Sequence, residues 1–241
     1  MSYLSIPFLL QVFCIYHAYK NRKETYWYFI IFFLPVIGGI IYLFTQVFKK
    51  QDLDKAQNSI TKIINPTKKI TDLEQKLKFS DTHDNKVKLA DAYFENNNFQ
   101  KAISHYEDSL DGLFSEDEYT LRQLVIAFYK TENYKQAISK GVIVAENNTF
   151  KKSDGYYFYG LALAKENQTA KAIAVFKFID KPFSNYEKRL NYAKYLITLG
   201  EGNAAKEILQ ELSNESLQVS KQVKRQNSFT FNDVNKTLST L

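Results

Sequence analysis

Cysteine is almost missing from this chain: Cys14 stands alone in 241 residues. A single cysteine excludes an intramolecular disulfide and a zinc site built from paired thiolates. Set inside an apolar run, it reads as a small packing residue, and it leaves the redox compartment undecided. Histidine is nearly as scarce, with His17, His83 and His105 only. No phosphate loop, paired metal-ligand helix or Gly-x-Ser-x-Gly elbow occurs, and no Ser/His/Asp arrangement can be argued from spacing. His83 and His105 read as structural or solvated side chains. The expectation is a non-enzyme with no catalytic residue, cofactor, metal or small-molecule substrate.

Positive charge is missing where a nucleic-acid binder would need it. The formal net charge is +6, but it is unevenly placed. Residues 1–50 hold Lys20, Arg22, Lys23, Lys49 and Lys50 against Glu24, whereas the rest of the chain holds 27 basic and 25 acidic residues. Proteins that displace phosphate counterions concentrate charge on their folded domain. Here it flanks apolar stretches, where it orients membrane helices. No nucleic-acid partner is expected.

What the chain does have begins with two apolar runs. Tyr26 to Phe48 is 23 residues without a charge, roughly 34 Å if helical, which is enough to cross a bilayer core with some tilt. Tyr26, Trp27 and Tyr28 supply an aromatic belt at one end, and Lys49-Lys50 close the other. Tyr3 to Tyr19 is shorter and is diluted by Gln11 and His17. A cleaved signal peptide is the competing reading of that run. The first nineteen residues, however, hold no Lys or Arg for its basic start, and Tyr19-Lys20-Asn21-Arg22 is not a small-residue cleavage site. The short link from Lys20 to Thr25 makes the two runs antiparallel neighbours, so a transmembrane helical hairpin is expected over residues 1–50. Pro35 should bend the second helix. Together with Gly38 and Gly39 it forms a patch for close packing against the first. Gln11 is expected to bond across the pair and His17 to lie at the interface.

Trp27 followed by apolar residues and then Leu34-Pro35-Val36-Ile37-Gly38-Gly39-Ile40-Ile41-Tyr42, after the basic turn Lys20-Asn21-Arg22-Lys23, resembles the N-terminal hairpin domain of cardiolipin synthases and related phospholipase-D-type proteins. The resemblance covers about residues 5–50 and implies a membrane hairpin. The catalytic signature of that family, His-x-Lys, is absent, because none of the three histidines is followed two residues later by lysine.

Further on the chain repeats. Asn98-Phe99-Gln100-Lys101-Ala102-Ile103, Asn133-Tyr134-Lys135-Gln136-Ala137-Ile138 and Gln168-Thr169-Ala170-Lys171-Ala172-Ile173 align, and Gly202-Asn203-Ala204-Ala205-Lys206 is a looser fourth copy. The alanines at 102, 137, 172 and 205 are spaced by 35, 35 and 33 residues. Twelve residues before each come Ala90, Val125, Gly160 and Ala193, preceded by Leu89, Leu124, Tyr159 and Tyr192. Four after each come Tyr106, Gly141, Phe176 and Leu209. Small residues let one helix approach the next, and large ones fill the groove. Such pairs bury their apolar faces only by stacking. Gly141 breaks the pattern and predicts a locally weak helix. The pattern resembles the tetratricopeptide repeat, whose period is about 34 residues. It implies an all-α fold: the N-terminal hairpin followed by a tetratricopeptide-like α-solenoid.

The organisation read from this is a hairpin over 1–50, a helical connector over 51–82, four repeats over 83–214 and C-terminal capping helices over 215–241. In the connector, Leu53, Ala56, Ile60, Ile63 and Ile64 keep helical spacing, Asn65-Pro66 interrupts them, Ile70, Leu73 and Leu77 resume it, and Thr71-Asp72-Leu73-Glu74 reads as a capping box. Helical repeats bind partners on the concave face lined by the first helix of each pair. In the family register that face carries Asp91, Phe94, Tyr119, Arg122, Ile126, Tyr129, Tyr157, Leu161 and Lys194. Tyrosine and arginine are favoured anchors there, so Tyr119, Arg122, Ile126, Tyr129, Tyr157 and Lys194 are the candidate partner-binding residues. Where some family members clamp a C-terminal carboxylate with Lys and Asn, this chain has Val87 and Asp91, which argues against a tail clamp. The expectation is a membrane-anchored scaffold whose partners are other proteins, held through the groove, and membrane lipid. The alternative is a regulatory subunit of a lipid- or envelope-synthesis enzyme, paired through the hairpin. Lys49, Lys50, Lys55, Lys62, Lys68 and Lys69 outnumber the basic residues of the turn, which favours a bacterial inner-membrane protein with cytoplasmic repeats.

Overall fold

A computed structural model describes residues 5–21, 23–34, 36–43 and 66–241. Among them every regular element is helical and no strand occurs. The chain divides into two compact units, residues 1–69 and 70–241.

The N-terminal unit holds α1 (Ser5–Lys20), α2 (Tyr26–Phe33) and α3 (Ile37–Tyr42). The single long helix expected over Tyr26–Phe48 is replaced by two short helices folded back on each other. Trp27 near the start of α2 meets Tyr42 at the end of α3, with ring centroids 5.3 Å apart; a straight helix would hold them roughly 22 Å apart. The cause is local. The residue before a proline is driven out of the α region, and Leu34, which precedes Pro35, ends α2 with φ −125° and ψ 70°. Gly38 then lies so close to the end of α2 that a Cβ on it would be 2.3 Å from the Ile30 carbonyl oxygen. Among the described residues no helix is long and apolar enough to cross a membrane. Pro35, Arg22, Lys49, Lys50 and the connector positions Leu53 to Ile64 lie outside the described residues.

α4 (Pro66–Phe79) comes next, and the second unit opens within it, at Ile70. The expected capping box at Thr71–Glu74 sits inside this helix rather than at its start, and Glu74 instead accepts a hydrogen bond from the Tyr93 hydroxyl at 2.5 Å. Ile70, Leu73 and Leu77 pack on the core below, so this part of the connector closes the end of the helical stack. Four antiparallel pairs follow: α5 (His83–Glu95) with α6 (Phe99–Ser109), α7 (Glu118–Lys130) with α8 (Tyr134–Val144), α10 (Asp154–Lys165) with α11 (Thr169–Ile179), and α12 (Tyr186–Thr198) with α13 (Gly202–Gln218). The short α9 (Asn148–Lys151) bridges the second and third pairs. After α14 (Lys221–Gln226), α15 (Ser228–Leu238) lies on α12 and α13 and buries Val234.

The period seen in the alanines is repeated in the backbone. Ala102, Ala137, Ala172 and Ala205 are fully buried. Each pair turns through a left-handed residue, at Asn97, Glu132, Asn167 and Gly200. In each turn the next amide donates back across five residues: Asn98 to Tyr93, Asn133 to Phe128, Gln168 to Leu163 and Glu201 to Leu196. This is the closing bond of a left-handed helix cap, which satisfies a carbonyl that the helix end would otherwise orphan.

The space beside Gly141 is filled. A Cβ there would be 2.4 Å from Cδ2 of Tyr159. The volume supplied at this place by Tyr106, Phe176 and Leu209 in the other pairs comes here from the next pair's first helix, whose tyrosine ring rests against the bare backbone of α8.

Candidate protein-docking face

The first helices of the pairs, α5, α7, α10 and α12, meet one another through polar and aromatic side chains. Asp91 on α5 accepts from Tyr119 on α7 at 2.9 Å and from Tyr106 at 2.5 Å. Burial and the neighbouring Asp91 carboxylate push the Tyr119 hydroxyl up to about 12 and that of Tyr106 higher still. Both hydroxyls therefore stay protonated donors through the neutral range. Gln123 donates to the Tyr119 oxygen at 3.4 Å, and the Arg122 guanidinium lies 5.0 Å from the Tyr119 ring centroid.

On the next step of the stack, Tyr129 packs against Phe158 with centroids 5.2 Å apart, and the Lys130 ammonium lies 5.2 Å from the Phe158 centroid. Tyr157 on α10 is buried and its oxygen accepts from Asn191 Nδ2 on α12 at 2.9 Å. Lys188 lies 5.4 Å from the same ring while pairing with Asp154 at 2.6 Å. At the far end Lys194 pairs with Asp233 of α15 at 2.6 Å. Phe94, Ile126 and Leu161 are half-buried along the same line.

The structure thus brings Tyr119 and Arg122 together with Asp91, places Tyr129 beside Phe158, inserts Tyr157 between α10 and α12, and ties Lys194 to the C-terminal helix. Tyr119, Arg122, Ile126 and Tyr129 keep exposed or half-exposed surface. Tyr157 and Lys194 are committed to contacts within the chain.

One charged site escaped the sequence reading. Arg189 on α12 is fully buried and is surrounded by three carboxylates: Asp180 at 2.6 Å, Glu215 at 2.7 Å, and Glu211. Glu215 also accepts the Phe183 amide at 3.0 Å. Asp180, Glu211 and Glu215 lie 9, 22 and 26 residues from Arg189 along the chain; Glu211 and Glu215 share α13 one turn apart, but no local spacing joins them to Arg189. The two histidines of this unit are tied down. His83 Nδ1 lies 2.9 Å from the Ser109 carbonyl oxygen and its ring stacks on Phe114. His105 stacks on Tyr93, and burial lowers its pKa. Among the described residues no three His, Cys, Asp or Glu side chains gather to hold a metal ion.

The N-terminal unit has its own polar cluster. Gln11 Nε2 donates to the Ile31 and Phe32 carbonyls at 3.2 and 3.3 Å. His17 Nδ1 lies 2.9 Å from the Tyr42 hydroxyl, and the Cys14 thiol points at the Gly39 carbonyl at 3.7 Å. Gly39 faces Leu10 and Cys14 of α1, while Gly38 faces the end of α2. Around this interior Phe8, Phe29, Phe32, Phe33, Ile37 and Ile40 stand exposed. In comparisons with known proteins, no family model matches the chain and no curated protein matches its sequence.

Proposed function

We propose that this protein is a membrane-seated adaptor: the N-terminal unit sits in a lipid bilayer, and the tetratricopeptide-like stack that follows it in the sequence docks other proteins. The observation that carries the reading is the inverted polarity of the N-terminal unit. Tyr42 is buried, Gln11 and His17 are half-buried, and all three are hydrogen-bonded within the unit, while Phe8, Phe29, Phe32, Phe33, Ile37 and Ile40 are turned outward. In water an exposed apolar surface of this extent marks a binding site. In lipid it is the ordinary arrangement, because polar groups must find partners inside the protein.

The polarity has a direction. At one end lie Lys20, Asn21, Lys23 and Glu24, next to Trp27, Tyr42 and His17. At the other lie Phe33, Leu34, Val36 and Ile37, all exposed. This supports a wedge whose apolar tip enters the hydrocarbon while its aromatic and charged end stays at the headgroups. Because α3 returns to the end where α1 finishes, Tyr42 lies at the same end as the basic turn. The basic charge of that end favours its facing the cytoplasm.

The repeat half of the proposal rests on the stacked pairs, the buried alanines and the recurring left-handed turns. Tyr119, Arg122, Ile126 and Tyr129 are the surface it offers to a protein partner, a combination suited to anchoring. Alkaline carbonate extraction of native membranes tests the seating: retention in the pellet is expected, and release of the full-length chain would overturn it. Protease added to intact spheroplasts tests the side. The repeats should be protected, and their digestion with the membrane sealed would place them outside.

A further inference from the structure

Two surfaces of the repeat unit carry opposite charge. The basic one is built by helix register. α14 runs into α15 through Asn227 alone; the Asn227 amide donates to the Val223 carbonyl at 3.0 Å, and the Phe231 amide to the Asn227 carbonyl at 3.0 Å. Phe231 and Val234 are buried, and Val223 and Leu238 half-buried, on the side turned to α12 and α13. Lys221, Arg225 and Phe229 follow at four-residue intervals on the outer side, where Lys224 and Lys236 are also exposed. Phe229 is 84% exposed. No acidic residue occurs from Ser216 to Asn232, and Asp233 pairs with Lys194. The carboxylates around Arg189 lie inward of this face. Glu215 is buried, and Phe231 on the inner side of α15 meets Tyr186, one turn before Arg189, with centroids 4.9 Å apart. Even counted in full, those three carboxylates and one arginine leave the four outer cations in excess.

The acidic surface is the loop from α6 to α7. Asp111 to Glu116 are six consecutive exposed residues. The loop is held: the Phe114 amide donates to the Asp111 carbonyl at 2.9 Å, and the Phe114 ring stacks on His83 with centroids 3.9 Å apart. Leu113 between them is 100% exposed. Lys86 lies 3.3 Å from Asp81 and 3.9 Å from Asp111, and its ammonium also donates to the Asp108 carbonyl at 3.1 Å. Against this lysine stand Asp81, Asp108, Asp111 and Glu116, four carboxylates to one cation. At the margins Glu107 and Glu118 pair with Lys140 and Arg122, and Glu74 and Lys78 on α4 offset each other.

We infer that the α14–α15 face of one copy docks on the α6–α7 loop of a second copy, Lys224 and Arg225 meeting Asp111 and Glu116 while Phe229 and Leu113 touch between them. A lone exposed apolar side chain is ordinary; here each stands on a surface of one sign, and the signs are opposite. Such complementarity steers association and fixes its register. Within one chain the second and third helix pairs stand between the two surfaces, so they do not neutralise each other. An anionic bilayer would suit the basic face but leaves the acidic loop without a role, whereas a second copy accounts for both and supplies them in equal number. Because the two surfaces differ, every pair keeps one of each free, and association continues into a ring or an open row. The inference does not depend on the bilayer seating.

The test uses the full chain in mild detergent, with Cys14→Ala removing its only cysteine. Leu113→Cys is made in one preparation and Phe229→Cys in another. Oxidised together at low salt, the two are expected to give a cross-linked dimer that neither gives alone. Lys224→Glu with Arg225→Glu in the Phe229→Cys chain should abolish it. Asp111→Lys with Glu116→Lys in the other chain should then restore it, and high salt should weaken it, all at unchanged helical circular dichroism. Sedimentation of the Cys14→Ala chain should show species larger than a dimer as concentration rises. Absence of a cross-link in the mixture overturns the inference, as does an equal yield from either preparation alone or a reversed pair that fails to restore it. Should the mixture give none while phosphatidylglycerol vesicles bury a fluorophore at position 229, the basic face is assigned to lipid instead.

Discussion

The two units of this protein solve the same packing problem in opposite senses. In the repeat unit Leu89, Leu124, Leu163 and Leu209 are buried, and the charged side chains are almost all at the surface. In the N-terminal unit Gln11 bonds the carbonyls at the end of α2 and His17 meets the Tyr42 hydroxyl, while phenylalanines stand outside. The hydrophobic effect drives the first arrangement, because apolar area leaves water. It opposes the second in water and is indifferent to it in lipid. The difference is what the proposed bilayer seating of the N-terminal unit calls for, although among the described residues no helix is long and apolar enough to cross a membrane.

The repeat unit contains one exception to its own rule, and it offers the strongest way to break the comparison. Arg189 sits in the interior with Glu215, whose side chain is 4% exposed. Breaking a buried pair by removing one partner leaves an uncompensated charge and costs about 3–5 kcal/mol. Arg189→Met is therefore expected to lower the chemical-denaturation midpoint of the repeat unit more than any other single change proposed. Adding Glu215→Gln should recover part of the loss, although the Phe183 amide also depends on that carboxylate. A midpoint unchanged by Arg189→Met would show the ion cluster to be superficial.

The next effect concerns close packing. Gly141→Ala improves intrinsic helix propensity by about 1 kcal/mol, yet it drives a methyl group into the Tyr159 ring. Overpacking of this kind costs about 1–3 kcal/mol, so net destabilisation is expected. Tyr159→Leu in the same chain should make the alanine tolerable, and a double-mutant cycle measures the coupling. Stabilisation by Gly141→Ala alone would mean that the ring can move aside.

How much of this was legible beforehand depended on whether the signal was local and periodic. The stacked pairs were, because a buried small residue recurs at the same place in every pair and each turn repeats the same backbone. Gly141 was misread because its deficit is filled from Tyr159, eighteen positions on in the numbering and on the next pair, which a pattern aligned within repeats does not see. The bend expected at Pro35 became a reversal because Leu34 leaves the helical region and Gly38 allows the backbone to return against Ile30. Thr71–Glu74 has the composition of a helix start, but α4 already runs through it from Pro66. On the candidate face the register placed the right helices side by side. It gave no sign that Tyr157 and Lys194 are spent on Asn191 and Asp233.

A third test asks which solvent the N-terminal unit is built for. Gln11 reaches the Ile31 and Phe32 carbonyls in the last turn of α2, where a helix leaves its carbonyls without partners. In a bilayer no water replaces the lost bonds, and Gln11→Leu should destabilise the unit by about 1–2 kcal/mol, the upper range for such contacts in membranes. In water the carbonyls would be solvated and the effect small. Unfolding measured in bicelles, compared with unfolding in lipid-free buffer, separates the two. An equal response in both would remove the argument for lipid.

The smallest effect lies in the repeat turns, and it has the opposite sign. Asn97, Asn167 and Gly200 hold the left-handed position in three of the pairs with residues suited to it, but Glu132 holds it in the fourth at φ 60°. Glycine enters this region without the steric cost a β-carbon carries, and asparagine enters it more readily than most side chains. Glu132 is exposed, and the bond that closes the turn, from the Asn133 amide to the Phe128 carbonyl at 2.8 Å, is made by backbone alone. Its side chain is therefore dispensable to the turn. Glu132→Gly relieves the strain but gives the unfolded chain more freedom to lose, and at a helix C-cap the balance favours glycine. The expected gain is about 0.5–1 kcal/mol in thermal or denaturant unfolding, with Glu132→Asn close behind. Glu132→Ala, which keeps the β-carbon and loses only the carboxylate, should give little or none of it. A gain of equal size from alanine would assign the effect to charge and leave the recurring left-handed turn without an energetic role.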